Sequence, residues 1–480
     1  MENVAFSSLT ELAQGLQNKT YSSVELTQFF LDRISRYDGK AHAFTAVYAQ
    51  AALQQAQAAD LQRSSGLLLS PLHGLPVAVK DICEINGRIT TAGSQAWSER
   101  VSSVTATVIE RLQAAGMILL GKTHMAEFSF CGWGVNPLMG TPCNPWSESA
   151  GPRAPGGSSS GSGVAVAAGL TPLAIGSDTG GSVRIPGAFN GLTALKPTYG
   201  RISVFGTVPL SGTLDSIGPI ARTAQDAALA TQIMAGADSR DPRTQGQQPG
   251  APDLMQTVSV RNLRVAVMPP SQYPVPVSDD VQSATENAIR TFRSLGMSVE
   301  YAQLPLDFTD LMMTQGIITS AEVYWQHSNY IENPDLAFGP SIRRRIIGGK
   351  TVTAQAYLTA LVHRKNAMAQ FNHWMQDYDL LLTPTVPFAA PLINDVDVES
   401  KSVMAFVRPV SYLNACAISL PSGFSKDGFP VGVQLIAKPW NEYVLIHAGQ
   451  AFQQATEWHR KTPDHAACEG FFGRVKGPTL

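Results

Sequence analysis

The sequence predicts an α/β fold, a sheet covered by helices on both faces, and two observations predict it. Short aliphatic runs alternate with longer stretches of helical period, the pattern of successive βαβ units. Charged residues make up only 15% of the 480-residue chain, against about 25% in an average globular domain, while the apolar share of 44% is ordinary. A large uncharged region therefore belongs inside the molecule.

Taken in order, the first clear element is a helix that starts at a capping box of Ser22 and Glu25. Leu26, Phe29, Phe30, Arg33, Ile34 and Tyr37 then fall at helical spacing with an apolar stripe. Strands are expected at Val77–Val79, Met117–Leu120, Leu173–Ile175 and Leu263–Val267, with a helix between Thr105 and Ala115. A further helix is expected over Asp279–Leu295, where Val281, Ala288, Ile289, Phe292 and Leu295 share a face. The stretch 236–262 contains the only linker-like composition, rich in Asp, Arg, Gln, Gly and Pro. The expected organisation is one domain over 1–480: a helical part at 1–65, a motif-rich core at 66–235, a surface linker at 236–262, and a second half at 263–480 that completes the sheet and the substrate pocket.

Composition excludes several functions. Lys plus Arg number 35 and Asp plus Glu 37, a net charge of −2 that offers no footprint for nucleic acid or an anionic membrane. No basic segment followed by an apolar core opens the chain, so a cytoplasmic location is expected. Cys83, Cys131, Cys143, Cys416 and Cys468 form no CxxC pair, against a disulfide framework or a zinc ribbon. The histidines show no HExxH spacing, so neither metal nor cofactor is expected. The uncharged run Ala154–Ser177 fails as a membrane span, since its first half is Gly and Ser and Pro172 interrupts the rest.

That run holds the chemistry. Gly156-Gly157-Ser158-Ser159-Ser160-Gly161-Ser162-Gly163 precedes an Ala/Val-rich helix pattern, and Gly176-Ser177-Asp178-Thr179-Gly180-Gly181-Ser182-Val183-Arg184 follows it. A flexible linker has such a composition, but a linker is not framed by strand and helix patterns. Phosphate binding lacks its motifs, since neither GxxxxGK[ST] nor GxGxxG after a strand is present. A tight Gly-Gly turn can instead aim amides at the developing negative charge of a tetrahedral intermediate, and Thr179, Gly180, Gly181 and Ser182 are the amides on offer. A serine needs a base. His124 could be brought from afar, but Lys80 is the better candidate, a lone lysine ending the apolar strand Val77-Ala78-Val79.

Leu75-Pro76-Val77-Ala78-Val79-Lys80-Asp81, the Gly156–Gly163 block and Gly176–Pro186 together resemble the amidase signature family of serine hydrolases. Gly121–Phe128, Leu195–Gly200, Asp379–Thr385 and Pro430–Ile436 extend the resemblance from about Ser22 to Leu445. It implies a large mixed, mostly parallel, twisted sheet. It also implies that Lys80 is the catalytic lysine, Ser158 a bridging serine with a cis peptide, and Ser182 the nucleophile. Ser182 would attack the carbonyl while Ser158 passes its proton toward Lys80; the proton returns to the leaving amine, and water hydrolyses the acyl-enzyme. Such a lysine must be neutral at rest, which calls for burial to lower its pKa by about three units. Asp178 and Arg184, two of only four charges between Gly151 and Gly200, are expected to pair and hold the nucleophile's turn. Ser129, Phe130, Cys131 and Trp133 occupy the place of an acyl pocket.

Two departures bear on the substrate. Ser160 stands where the family usually has Gly, and Ser411–Pro421 differs from its usual Asn, Gly and Pro. Met404 falls where the A chain of the family's tRNA-dependent amidotransferase carries the aspartate that holds glutamine. The main expectation is thus a free-standing monomeric or homodimeric amidohydrolase acting on a small-molecule amide, carbamate or ureido compound, with no nucleic-acid or membrane partner. The alternatives are the glutamine-hydrolysing component of an amidotransferase, and a catalytically silent scaffold.

Overall fold

The computed structural model describes residues 2–147, 151–245, 254–255 and 258–463. Its first long helix, Ser23–Ala41, forms where the capping box places it: Glu25 N–H donates to Ser22 Oγ at 3.1 Å and Ser22 N–H to Glu25 Oε2 at 2.8 Å. Leu26, Phe30 and Ile34 face inward, and His42 ends the helix with a left-handed φ of 53°.

Eleven strands form one sheet among the described residues: β1 (Phe44–Val47), β2 (Pro76–Lys80), β3 (Ile118–Thr123), β4 (Ala174–Asp178), β5 (Thr193–Lys196), β6 (Ser216–Ala221), β7 (Arg264–Val267), β8 (Ser298–Tyr301), β9 (Leu380–Pro384), β10 (Cys416–Phe424) and β11 (Pro430–Ala437). Their order is β1-β3-β2-β4-β6-β5-β10-β11-β9-β7-β8. The four expected strands are β2, β3, β4 and β7, and the helices expected after Thr105 and at Asp279 are Thr107–Ala114 and Asp279–Ser294.

The mixed sheet is there, but its parallel share is smaller than expected. Parallel pairs occupy the two wings, β3–β2–β4 and β9–β7–β8, while the centre from β4 to β9 is antiparallel. The reason is connectivity: β10 returns into β11 through a turn closed by Ser425 and Phe429, and a strand that returns without a crossover helix pairs antiparallel. Strands β7–β11 continue the sheet begun by β1–β6, joined where β5 pairs with β10.

Helices cover both faces, so β2, β3 and β4 are buried along their whole length. This accounts for much of the low charge. The uncharged helix pattern becomes Ser160–Ala167, every residue of it buried against β2, β3, β4 and β6. Its entry is so close to neighbouring main chain that a Cβ on Gly161 would lie 2.3 Å from Ala43 O and 2.5 Å from His124 N.

Cys83, Cys131, Cys143 and Cys416 are buried; Cys468 and residues 246–253 and 256–257 of the expected linker lie outside the described residues. Among the described residues, no helix is long and apolar enough to cross a membrane, and no cluster of three or more His, Cys, Asp or Glu side chains is placed to hold a metal.

The glycine helix yields a stability prediction. Gly161→Ala should destabilise the protein by at least the 1–3 kcal/mol typical of an overpacked core, roughly. Calorimetry checks this against Gly39→Ala, where an added Cβ meets nothing within 4 Å.

Candidate active site

Parallel pairing of β2 with β4 brings their carboxyl ends together, Val79 beside Ile175, and so sets Lys80 next to Ser177. Lys80 is fully buried, and its Nζ donates to Ser158 Oγ at 2.7 Å and to Ser177 Oγ at 2.8 Å. Burial lowers its pKa to about 7, while the charges of Asp215, Cys83 and Asp178 pull the other way. Neither carboxylate touches it. Asp215 is occupied by Thr179 Oγ1 and the amides of Leu210 and Ser211, and Asp178 by Arg184.

Ser158 follows a cis Gly157–Ser158 peptide, and Ser159 N–H donates to Ser182 O at 3.2 Å, which ties the two serine turns together. Ser182 Oγ itself has no hydrogen-bond partner among the described residues; it faces a small cavity of about 20 Å³. His124 does not reach either serine. Its ring stacks on His42 at 4.6 Å, and burial lowers its pKa to about 3.

Asp178 and Arg184 form the expected buried pair. Arg184 donates through Nε to Oδ2 and through a terminal nitrogen to Oδ1, both at 3.0 Å, and also reaches Gln434 Oε1, Val407 O and Ser411 Oγ. Burial alone would raise the Asp178 pKa. The charge and hydrogen bonds of Arg184, the charge of Lys196 and the Gly181 amide together outweigh it and hold the carboxyl at about 2. One expected oxyanion donor is lost in this arrangement: Gly181 N–H donates to Asp178 Oδ1 at 2.7 Å and is not free. The amides of Thr179, Gly180 and Ser182 have no such partner among the described residues.

Of the four residues expected at an acyl pocket, Ser129, Phe130 and Cys131 line the small cavity. Trp133 does not; it lies in the adjoining apolar cluster, its ring stacked on Phe388 and its Nε1 donating to Ser400 O. The opposite wall comes from distant chain that sequence reasoning missed, namely Gln315, Thr319, Arg345 and Arg408, together with Met404. Arg345 donates to Phe130 O at 2.6 Å and stacks over the Phe130 ring. Arg408 is 6% exposed, has no hydrogen bond or ion pair among the described residues, and runs along Gly180, whose added Cβ would lie 3.1 Å from Arg408 Cγ. Burial, with repulsion from Arg345, lowers its pKa to about 10. Ser129 Oγ and Gln315 Oε1 are likewise buried without partners. The cavity thus joins a serine, three open amides and two guanidinium groups, with no carboxylate on its described lining.

The Amidase family model matches residues 25–446. The A component of the glutamyl-tRNA(Gln) amidotransferase of Chloroflexus aggregans is 37% identical over 93% of this chain and 95% of its own. A solved structure described as a vestigial protein complex that reveals the origins of an s-triazine catabolic enzyme superposes with a TM-score of 0.86 at 33% identity, covering 93% of this chain and 98% of that one. The corresponding amidotransferase component of Thermotoga maritima superposes at 0.79 with 30% identity, over 95% and 96% of the two chains.

Two outcomes are expected here. A lysine with a folded pKa of about 7 and an unfolded one near 10.5 binds more protons unfolded, so it costs up to about 5 kcal/mol below pH 7 and less as pH rises to 10. Lys80→Met should therefore lose turnover yet melt no lower than wild type at pH 7, with its relative stability falling toward pH 10 in calorimetry. Arg184→Ala strands a buried carboxylate and should cost about 3–5 kcal/mol in denaturant unfolding; wild-type stability with intact turnover would contradict that.

Proposed function

Since the chain belongs to the amidase family, an amide C–N hydrolase, we propose that it hydrolyses a small amide carrying a carboxylate, through an acyl-enzyme on Ser182. Neutral Lys80 accepts a proton from Ser158 Oγ as Ser158 takes the proton of Ser182. The oxyanion that forms is met by the amides of Thr179, Gly180 and Ser182. The proton held on Lys80 then passes back through Ser158 to the nitrogen, the C–N bond breaks, and water releases the acid by the same relay. Asp178 and Arg184 hold the turn that carries these amides.

The observation that carries the substrate class is Arg408, a buried guanidinium without a partner among the described residues, which lines the same cavity as Arg345 and Ser182. A buried charge with no counter-charge is costly, and a substrate carboxylate supplies one. The narrowness of the cavity favours a slim, unbranched acyl part.

Glutamine also carries a carboxylate, and relatives named as amidotransferase components favour it over the free-standing small-amide hydrolase expected as the main reading. On that reading the protein works with partner chains. What speaks against glutamine is the wall itself. Met404, two arginines and no carboxylate would face its α-ammonium, an unfavourable neighbourhood for a cation. A silent scaffold is disfavoured because Lys80, Ser158 and Ser182 are the residue types that the relay requires.

Ammonia release from glutaramate, which is glutamine without its α-amino group, from glutamine and from butyramide separates these readings, with Ser182→Ala as blank. Glutaramate should lead butyramide at least tenfold in kcat/KM, and Arg408→Met should erase that lead. Glutamine leading glutaramate would favour the amidotransferase reading, and equal rates on butyramide and glutaramate would overturn the carboxylate. For the preferred substrate, kcat/KM should climb with pH along a limb centred near 7, where Lys80 loses its proton.

A further inference from the structure

A second and larger cavity lies along the same helix as the first. Gln315 and Thr319 of the helix Phe308–His327 line the small cavity at Ser182, and Glu322, Trp325 and Gln326 of that helix line one of about 620 Å³. Gln315, Thr319, Glu322 and Gln326 recur at i, i+4, i+7 and i+11, a single helix face, and the rise of ~1.5 Å per residue places the first and last about 16 Å apart. Leu210 lines both cavities, so the two adjoin at that residue.

The two differ in what they admit. At about 20 Å³ the small cavity is a narrow slot beside the large one, so a bulky group on the amide has no place beside Ser182. The large cavity has room for a drug-sized group. Its wall is mostly apolar and aromatic, from Pro209, Leu210, Val352, Trp325 and Tyr357. Both of its charges are already engaged. Glu322 accepts hydrogen bonds from Ser211 Oγ, Thr213 N–H, Thr213 Oγ1 and Tyr357 Oη, and Arg243 donates to Asp241 Oδ1 at 2.6 Å. Trp325 stands at the rim with 77% of its surface in water, a large apolar side chain without a cover.

Resting on the reading of the small cavity as the seat of a carboxylate-bearing acyl group, we propose that the 620 Å³ cavity takes an uncharged aryl or arylalkyl substituent on the amide nitrogen. The preferred substrate is then a secondary amide, with its acid end at Arg345 and Arg408 and its amine end across Leu210 at Trp325. The bond broken is the one between the carbonyl carbon and the substituted nitrogen. That nitrogen leaves as a primary amine with the proton returned through Ser158, and water supplies the oxygen and proton that complete the acid and restore Ser182.

Turnover of N-benzylglutaramate and of glutaramate by the wild-type protein and by Trp325→Ala tests this, together with calorimetric binding of N-benzylglutaramate to Ser182→Ala. The benzyl amide should show a KM at least tenfold lower than the primary amide. Trp325→Ala should cut the benzyl-to-primary ratio of kcat/KM at least fivefold. Glutaramate hydrolysis with no gain from the benzyl group in KM or in binding overturns the cavity and leaves the proposed function standing. A ratio untouched by Trp325→Ala also overturns it. Tight benzyl-dependent binding to Ser182→Ala with no turnover of either amide by wild type would do the reverse, sparing the cavity and sinking the hydrolase.

Discussion

The site depends on keeping one ammonium group out of water and away from any carboxylate. Three lysines among the described residues are fully buried, and they are treated differently. Lys122 is neutralised by Asp81 at 3.1 Å, and Lys196 donates to the carbonyls of Pro197 and Ala415. Lys80 is given only two serine hydroxyls. The two carboxylates nearest in electrostatic effect are tied down elsewhere, Asp178 by Arg184 and Asp215 by Thr179 and two amides. Desolvation therefore prevails over attraction, and the lysine titrates near neutrality. The same Asp178 that is denied to Lys80 fixes the Gly180-Gly181 turn, so one ion pair bears on both Lys80 and the loop that carries Ser182.

Much of this was legible in the chain because local sequence dictates it. A strand ending in Lys80, a glycine block before a buried helix and a Gly-Gly turn at Ser182 are short-range patterns, and the sheet brings them together by pairing β2 with β4. What was not legible comes from long range. Arg345 sits in a run of three arginines that reads as a solvated helix face, and Arg408 precedes an ordinary apolar stretch. Only the packing of distant helices against Gly180 gives them their place. Trp133 fails for the converse reason: its aromatic spacing is equally that of a core residue, and Phe388 claims it. The Gly181 amide was misassigned because sequence does not say which donor of a turn its own aspartate will take.

The low charged fraction has a structural account. A sheet of eleven strands covered on both faces leaves little room for charge in its strands, and the uncharged, wholly buried helix Ser160–Ala167 extends that region. Other charges retained inside, such as Lys122, Arg184, Lys196 and Asp215, have an ion-pair or hydrogen-bond partner, whereas Arg408 has neither among the described residues; this makes Arg408 informative about substrate where the paired Arg184 is informative about folding. The helix Phe308–His327 then runs past both cavities, lining the small one with Gln315 and Thr319 and the large one with Glu322, Trp325 and Gln326.

The most direct test of the account is the titration of Lys80 itself. With ¹³C-labelled lysine in the Ser182→Ala protein, the Cε resonance missing from a Lys80→Met counterpart can be followed from about pH 5 to 11. A midpoint near 7 is predicted; a midpoint near the ordinary value of about 10.4 would mean a charged lysine at rest and contradict the mechanism.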